Sequence, residues 1–181
     1  MTGDLPSFLA DAGVGAIHGF AGTMLVAAGA SKFWSSDDFS PVVAAYDIVP
    51  APLVLPFAAA LPIAEMLFGI LLILPGVPAV VCGAATMFAA FGLAVALNLL
   101  RGRTELECGC GGDATPISWA IAGGNLLLAA ALTVSTGIGE ASISIATAAG
   151  LTCGAATLLL IRIYRAVSRM QPTPRAGVRS T

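Results

Sequence analysis

Two cysteines one residue apart are the residues best suited to chemistry in this chain. They sit in Arg101-Gly102-Arg103-Thr104-Glu105-Leu106-Glu107-Cys108-Gly109-Cys110-Gly111-Gly112-Asp113. Cα atoms at i and i+2 can fall within disulfide reach, although the ring they close is tight. A strained disulfide is easier to reduce, which suits exchange better than scaffolding. Gly109, Gly111 and Gly112 carry no Cβ and leave room for a partner's sulfur. Arg101 and Arg103 bring positive charge that favours a thiolate, while Glu105 and Glu107 oppose it. From the residues alone three readings stand: a redox pair, a two-thiolate site for a soft metal such as Cu(I), or two incidental loop cysteines.

The remaining reactive groups lie in apolar surroundings. Cys82 and Cys153 fall inside hydrophobic stretches, where cysteine usually serves as a small apolar filler. Their sharper reading is a second thiol pair relaying electrons to Cys108 and Cys110, but Cys82 lies near the far end of its span. Glu65 is the one acidic residue deep in an apolar stretch, and an ionisable group there is a functional candidate by default. Its candidate partners are His18, Asn98, Asn125 and Lys32. His18 reads as an interhelical hydrogen-bonding group. Asn98 and Asn125 flank the cysteine loop and either join helices or hold that loop over the bundle. Lys32, at the end of the first stretch, is expected to snorkel to the lipid headgroups.

The elements that must position these residues are membrane helices. Of 181 residues, 57% are hydrophobic and only 10% charged, and the mean hydropathy is +0.93. A soluble domain carries about a quarter charged residues, so a water-soluble globule and a disordered chain are both excluded. A net charge of −2 argues against nucleic-acid binding. Twenty-one glycines allow the close helix approach that membrane bundles use. A bilayer core of roughly 30 Å takes about 20 apolar residues per helix. Five stretches meet that length, at residues 13–30, 53–74, 77–100, 117–136 and 141–163. Pro and Gly make tight turns at residues 74–78 and 136–140. Residues 31–52 read as a longer wet loop whose Phe33, Trp34, Phe39 and Tyr46 suit the headgroup region. The prolines Pro56 and Pro62 predict a kinked second span. The N-terminus lacks a basic n-region, so the first stretch is expected to remain a span and not to be cleaved.

This predicts an all-α, polytopic membrane bundle of about five transmembrane helices. Residues 1–12 precede it, 13–136 form its main domain, 141–163 add a helix, and 164–181 form a basic tail expected to be disordered. With five spans, Lys32, Arg101, Arg103, Arg162, Arg165, Arg169, Arg175 and Arg179 share one face. The positive-inside rule makes that face cytoplasmic, with the C-terminus inside, the N-terminus outside and the cysteine loop inside. A plasma (inner) membrane location follows, and the basic tail would favour anionic lipid.

Several segments together resemble the methylamine utilisation protein MauE family, which is grouped with the DoxX-like membrane proteins. They are Gly29-Ala30-Ser31-Lys32-Phe33 with Tyr46 and Pro50, Leu61-Pro62-Ile63-Ala64-Glu65-Met66-Leu67-Phe68-Gly69, and Asn98-Leu99-Leu100-Arg101-Gly102-Arg103. Cys108-Gly109-Cys110-Gly111-Gly112, Ser118-Trp119 and Asn125-Leu126-Leu127-Leu128 complete the pattern. The resemblance implies a DoxX-like four-helix core plus one C-terminal helix. It implies a redox-associated membrane protein supporting maturation of exported disulfide-containing proteins, through the small subunit of methylamine dehydrogenase. It also implies a thioredoxin-like partner, with Cys108 and Cys110 as the exchange pair; Glu65, Arg101, Arg103, Asn98 and Asn125 are the candidate binding or supporting residues. The bundle would then couple that pair to a quinone or to a second thiol carrier. The competing class is a non-enzymatic scaffold or soft-metal carrier.

Overall fold

A computed structural model describes residues 5–34, 36–74, 77–109, 115–138 and 145–170. These residues form six helices: α1 (Leu5–Trp34), α2 (Ser36–Ala45), α3 (Ala51–Ile73), α4 (Pro78–Leu100), α5 (Trp119–Ser135) and α6 (Ile145–Met170). The fold is a membrane helix bundle. Helices α1, α3 and α4 are long and apolar enough to cross a bilayer, and α5 is a shorter apolar helix of 17 residues. Pro50 stands at the N-cap of α3, and α3 and α4 each carry proline in their first turn, where a missing N–H costs nothing. Ser118 caps α5 by accepting a hydrogen bond from the Ile121 amide at 3.4 Å.

Small residues set the helix order. A Cβ on Gly22 would stand 2.8 Å from the Gly69 carbonyl, and one on Gly29 would stand 2.6 Å from the Pro62 carbonyl. Rising numbers on α1 thus meet falling numbers on α3, so the two run antiparallel in close contact. Gly15 meets Thr147 and Gly19 meets Leu151, so α6 runs parallel to α1. A five-span path requires that direction for its last helix. The main core gathers Ala21 and Leu25 of α1, Leu72 of α3, Phe88 of α4 and Leu132 of α5.

Three expectations change. The segment 31–52 is not a continuous loop, because Ser36–Ala45 is helical. Phe39, Val42, Val43 and Tyr46 follow the i, i+3, i+4, i+7 spacing of an amphipathic helix. Phe39 and Val43 are buried against Ala58 of α3 instead of lying at the headgroups. Helix α1 begins at Leu5, eight residues before the expected span. Helix α6 continues to Met170, past the expected start of the tail, since no proline intervenes before Pro172. Residues 171–181 lie outside the described residues.

Candidate functional site

Four buried polar groups, Lys32, Glu65, Asn98 and Asn125, gather toward the end of the bundle where α1 and α4 finish and α3 begins. Lys32 Nζ donates to Glu65 Oε1 at 2.5 Å, with both side chains almost wholly removed from solvent. Lys32 therefore does not snorkel to headgroups. Its ammonium also lies over the rings of Phe39 and Phe91, at 5.4 and 5.7 Å from the centroids, so aromatic faces replace part of its hydration. Of the four candidate partners for Glu65, Lys32 is the one it meets.

His18 is engaged elsewhere. Its Nε2 lies 3.0 Å from Ser135 Oγ, and that hydroxyl gives its own hydrogen to the Leu132 carbonyl at 2.7 Å. The imidazole Nε2–H is thereby the donor, joining α1 to α5.

Three other predicted residues tie the α2–α3 turn to the end of α4. Asn98 is fully buried, and its Nδ2 donates to the carbonyls of Tyr46 at 3.2 Å and Ala94 at 3.1 Å. Arg101 Nη1 reaches the carbonyls of Tyr46 and Asp47, at 3.5 and 3.3 Å. Arg103 donates to the Ala45 carbonyl and to Asp47 Oδ2, at 3.3 and 3.2 Å. The hydrogen bonds of both guanidiniums thus go to the turn at 45–47, where the sequence suggested they would stabilise a thiolate. Asp47 holds a φ of 52° inside this clamp. Asn125 Nδ2 donates to the Ile121 carbonyl at 2.8 Å within its own helix.

The cysteine loop leaves α4 and returns to α5 as a pinched hairpin. The Cys108 amide donates to the Thr115 carbonyl at 2.9 Å, and the Ile117 amide donates to the Leu106 carbonyl at 2.8 Å. Glu107 pairs with Pro116 as an isolated bridge between these bonds. Gly109 has a φ of 66°, and a Cβ there would press on the Phe39 ring at 3.2 Å. Glycine is needed there on both counts, and the loop consequently docks on α2. Cys108 is half-buried and disulfide-bonded, while Cys82 and Cys153 are free thiols exposed on their helices. Cys110 lies outside the described residues. Cys82 lies in the second turn of α4 and Cys108 follows the helix's end, a run of roughly 27 Å at 1.5 Å per residue, so no direct thiol relay joins them.

A cavity of about 230 Å³ lies between these parts. Its polar wall is Lys32, Glu65, Tyr46, Asn125 and Cys108, and the rest is largely aliphatic or aromatic, including Phe39, Phe57, Phe88 and Phe91. Tyr46, like Lys32 and Phe39, is a wall residue that sequence reasoning misplaced. Burial pushes its phenol up to about 12. The helical spacing from Phe39 to Tyr46 was the signal that would have turned it inward.

The family described as methylamine utilisation protein MauE matches this sequence over residues 10–137. The chain belongs to the MauE family. It is 37% identical to the methylamine utilization protein MauE of Methylophilus methylotrophus over 166 residues, 86% of this chain and 84% of that one. It is 36% identical to MauE of Paracoccus denitrificans over 152 residues, covering 80% and 81% of the two chains. It is 31% identical to MauE of Methylorubrum extorquens over 171 residues, covering 89% and 90%. No solved structure matches it. The MauE match takes in most of α1, all of α2 to α5, the Lys32–Glu65 pair and both loop cysteines, while α6 lies beyond it.

Proposed function

We infer that this MauE family member is an integral membrane thiol–disulfide exchange protein of methylamine utilisation, with Cys108 and Cys110 as the exchanging pair. The observation that carries the reading is the state and setting of Cys108. It is disulfide-bonded while Cys82 and Cys153 are free, which leaves Cys110 as the remaining one of the chain's four cysteines. Ladder bonds fix one sulfur-bearing residue at the loop base, and the next residue, Gly109, presents no Cβ beside it.

In the exchange, a partner thiolate attacks one sulfur of the disulfide, the S–S bond breaks, and a mixed disulfide forms. The partner's second thiolate then displaces it, leaving the partner oxidised and the loop as a dithiol. Membership of a methylamine utilisation family supports that system as the setting; the resemblance to the family adds a thioredoxin-like protein as immediate partner and the methylamine dehydrogenase small subunit as the exported protein served. The basic residues Arg101 and Arg103 at the loop end favour a cytoplasmic placement of that end in the plasma membrane.

The experiment is trapping with Cys110→Ser and Cys108→Ser variants in native membranes. One of them should hold a partner in a reducible adduct, and an impermeant maleimide applied to intact cells should fail to reach the surviving loop cysteine. Maturation that continues with both cysteines replaced and membrane abundance unchanged would make the protein a scaffold and end the exchange reading.

A further inference from the structure

The cavity beside Cys108 holds polar groups that the packing of the bundle leaves unused. Glu65 is completely buried, yet among the described residues its Oε2 has no hydrogen-bond partner, and the buried Tyr46 hydroxyl has none either. Unpartnered buried polar atoms are rare and point to a missing ligand or water. Lys32 Nζ gives one N–H to Glu65 and retains two more. These three residues share one apolar chamber with Cys108.

We propose that this chamber binds a lipophilic quinone, which reoxidises the dithiol form of Cys108 and its partner sulfur. The proposal rests on the exchange reading above. Turning the dithiol into the disulfide breaks two S–H bonds, forms one S–S bond and releases two electrons and two protons. A quinone accepts all four as its two carbonyl oxygens become hydroxyls, so the step balances with no other reagent. The wall suits both ends of that couple. Lys32 N–H and Tyr46 O–H donate to quinone carbonyls, and Glu65 Oε2 accepts from a quinol hydroxyl. The aromatic and aliphatic remainder excludes water and matches an apolar ring. A nicotinamide or flavin dinucleotide fits poorly, because its phosphates would meet a single buried cation that is already paired.

The test uses the full chain in lipid nanodiscs. Oxidised protein is photolysed with a short-chain azido-ubiquinone, and labelled peptides are mapped. Label is expected on peptides of α2, α3 or α4 that line the chamber. Excess short-chain ubiquinone should remove it, and equal decanol should not. The Ala94→Phe variant, which fills the chamber, should lower labelling about tenfold, and Tyr46→Phe, a milder change, should weaken quinone competition by up to about tenfold, as loss of one hydrogen bond would. Anaerobic addition of the same quinone to reduced protein should give one quinol per disulfide formed. Label displaced equally by decanol, or reduced protein left unoxidised by quinone, overturns the proposal. If Cys108 still traps a protein partner in that case, the exchange reading survives without the quinone. Competed labelling of the chamber in a protein whose cysteines never trap a partner would uphold quinone binding and remove the exchange reading.

Discussion

Gly29 of α1 lies against the carbonyl of Pro62 in α3, closely enough that any side chain at 29 would strike it. Lys32 and Glu65 each follow that contact by three residues. Helical side chains lean toward the N-terminus of their own helix. In an antiparallel pair, Lys32 therefore leans back to the level of Gly29 and Glu65 to the level of Pro62, and the two levels coincide. The glycine contact thus brings the charges together.

The first prediction concerns that contact. Gly29→Ala places a methyl carbon 2.6 Å from the Pro62 oxygen, far inside van der Waals contact, so α1 and α3 must separate. A loss of about 1–3 kcal/mol is expected, as for other overpacked sites. Gly13→Ala on the same helix meets nothing within 4 Å, and should be neutral or stabilising by up to about 1 kcal/mol. Thermal unfolding of both variants in one detergent measures the difference, and equal melting would contradict the close crossing.

The ion pair should respond asymmetrically to single and double replacement. Glu65→Leu leaves Lys32 charged and buried, and Lys32→Met leaves Glu65 so. Each single change is expected to cost about 3–5 kcal/mol. The double variant, with both charges gone and volume nearly kept, should recover most of that loss. A double-mutant cycle on unfolding midpoints reads the coupling, and additive losses would show that the two side chains do not depend on each other.

The clamp on the α2–α3 turn divides into a buried and an exposed part. Asn98→Leu takes away the shorter hydrogen bond to the Tyr46 carbonyl, leaving it the 3.5 Å contact from Arg101, and should cost about 1–3 kcal/mol. Breaking Arg103–Asp47, whose side chains are 40% and 72% exposed, should cost less than about 1 kcal/mol and less still at high salt. Unfolding in low and high salt separates the two.

The five apolar stretches, the cysteine loop and the buried glutamate were legible because membrane spans and intramembrane charges leave strong one-dimensional signals. Observed helix ends fall within about three residues of those expected for α3, α4 and α5. What remained hidden was three-dimensional. Lys32 looked like a headgroup anchor because its partner lies 33 residues away on another helix. Helix α2 hid behind Pro41 and the acidic pair Asp37 and Asp38, which read as loop. The cavity appears only once α2 folds over the bundle end and brings Phe39 and Tyr46 beside Cys108.

The inward placement of Tyr46 carries the last prediction. The chain has two tyrosines, Tyr46 and Tyr164, so a Tyr164→Phe variant reports Tyr46 alone. Its phenolate absorbance should rise near pH 12 in the folded protein, against an ordinary value of 10.0. The sign of the linked stability effect follows. Between pH 10 and 12 the folded state keeps the Tyr46 proton that the unfolded chain loses, so the folded state binds more protons. Stability then falls as pH rises through that window, and Tyr46 adds no pH dependence below it. Tyr46→Phe should remove this alkaline contribution without changing behaviour near neutrality. Ionisation of Tyr46 close to pH 10 would mean that the phenol faces water, and the chamber would lose that wall.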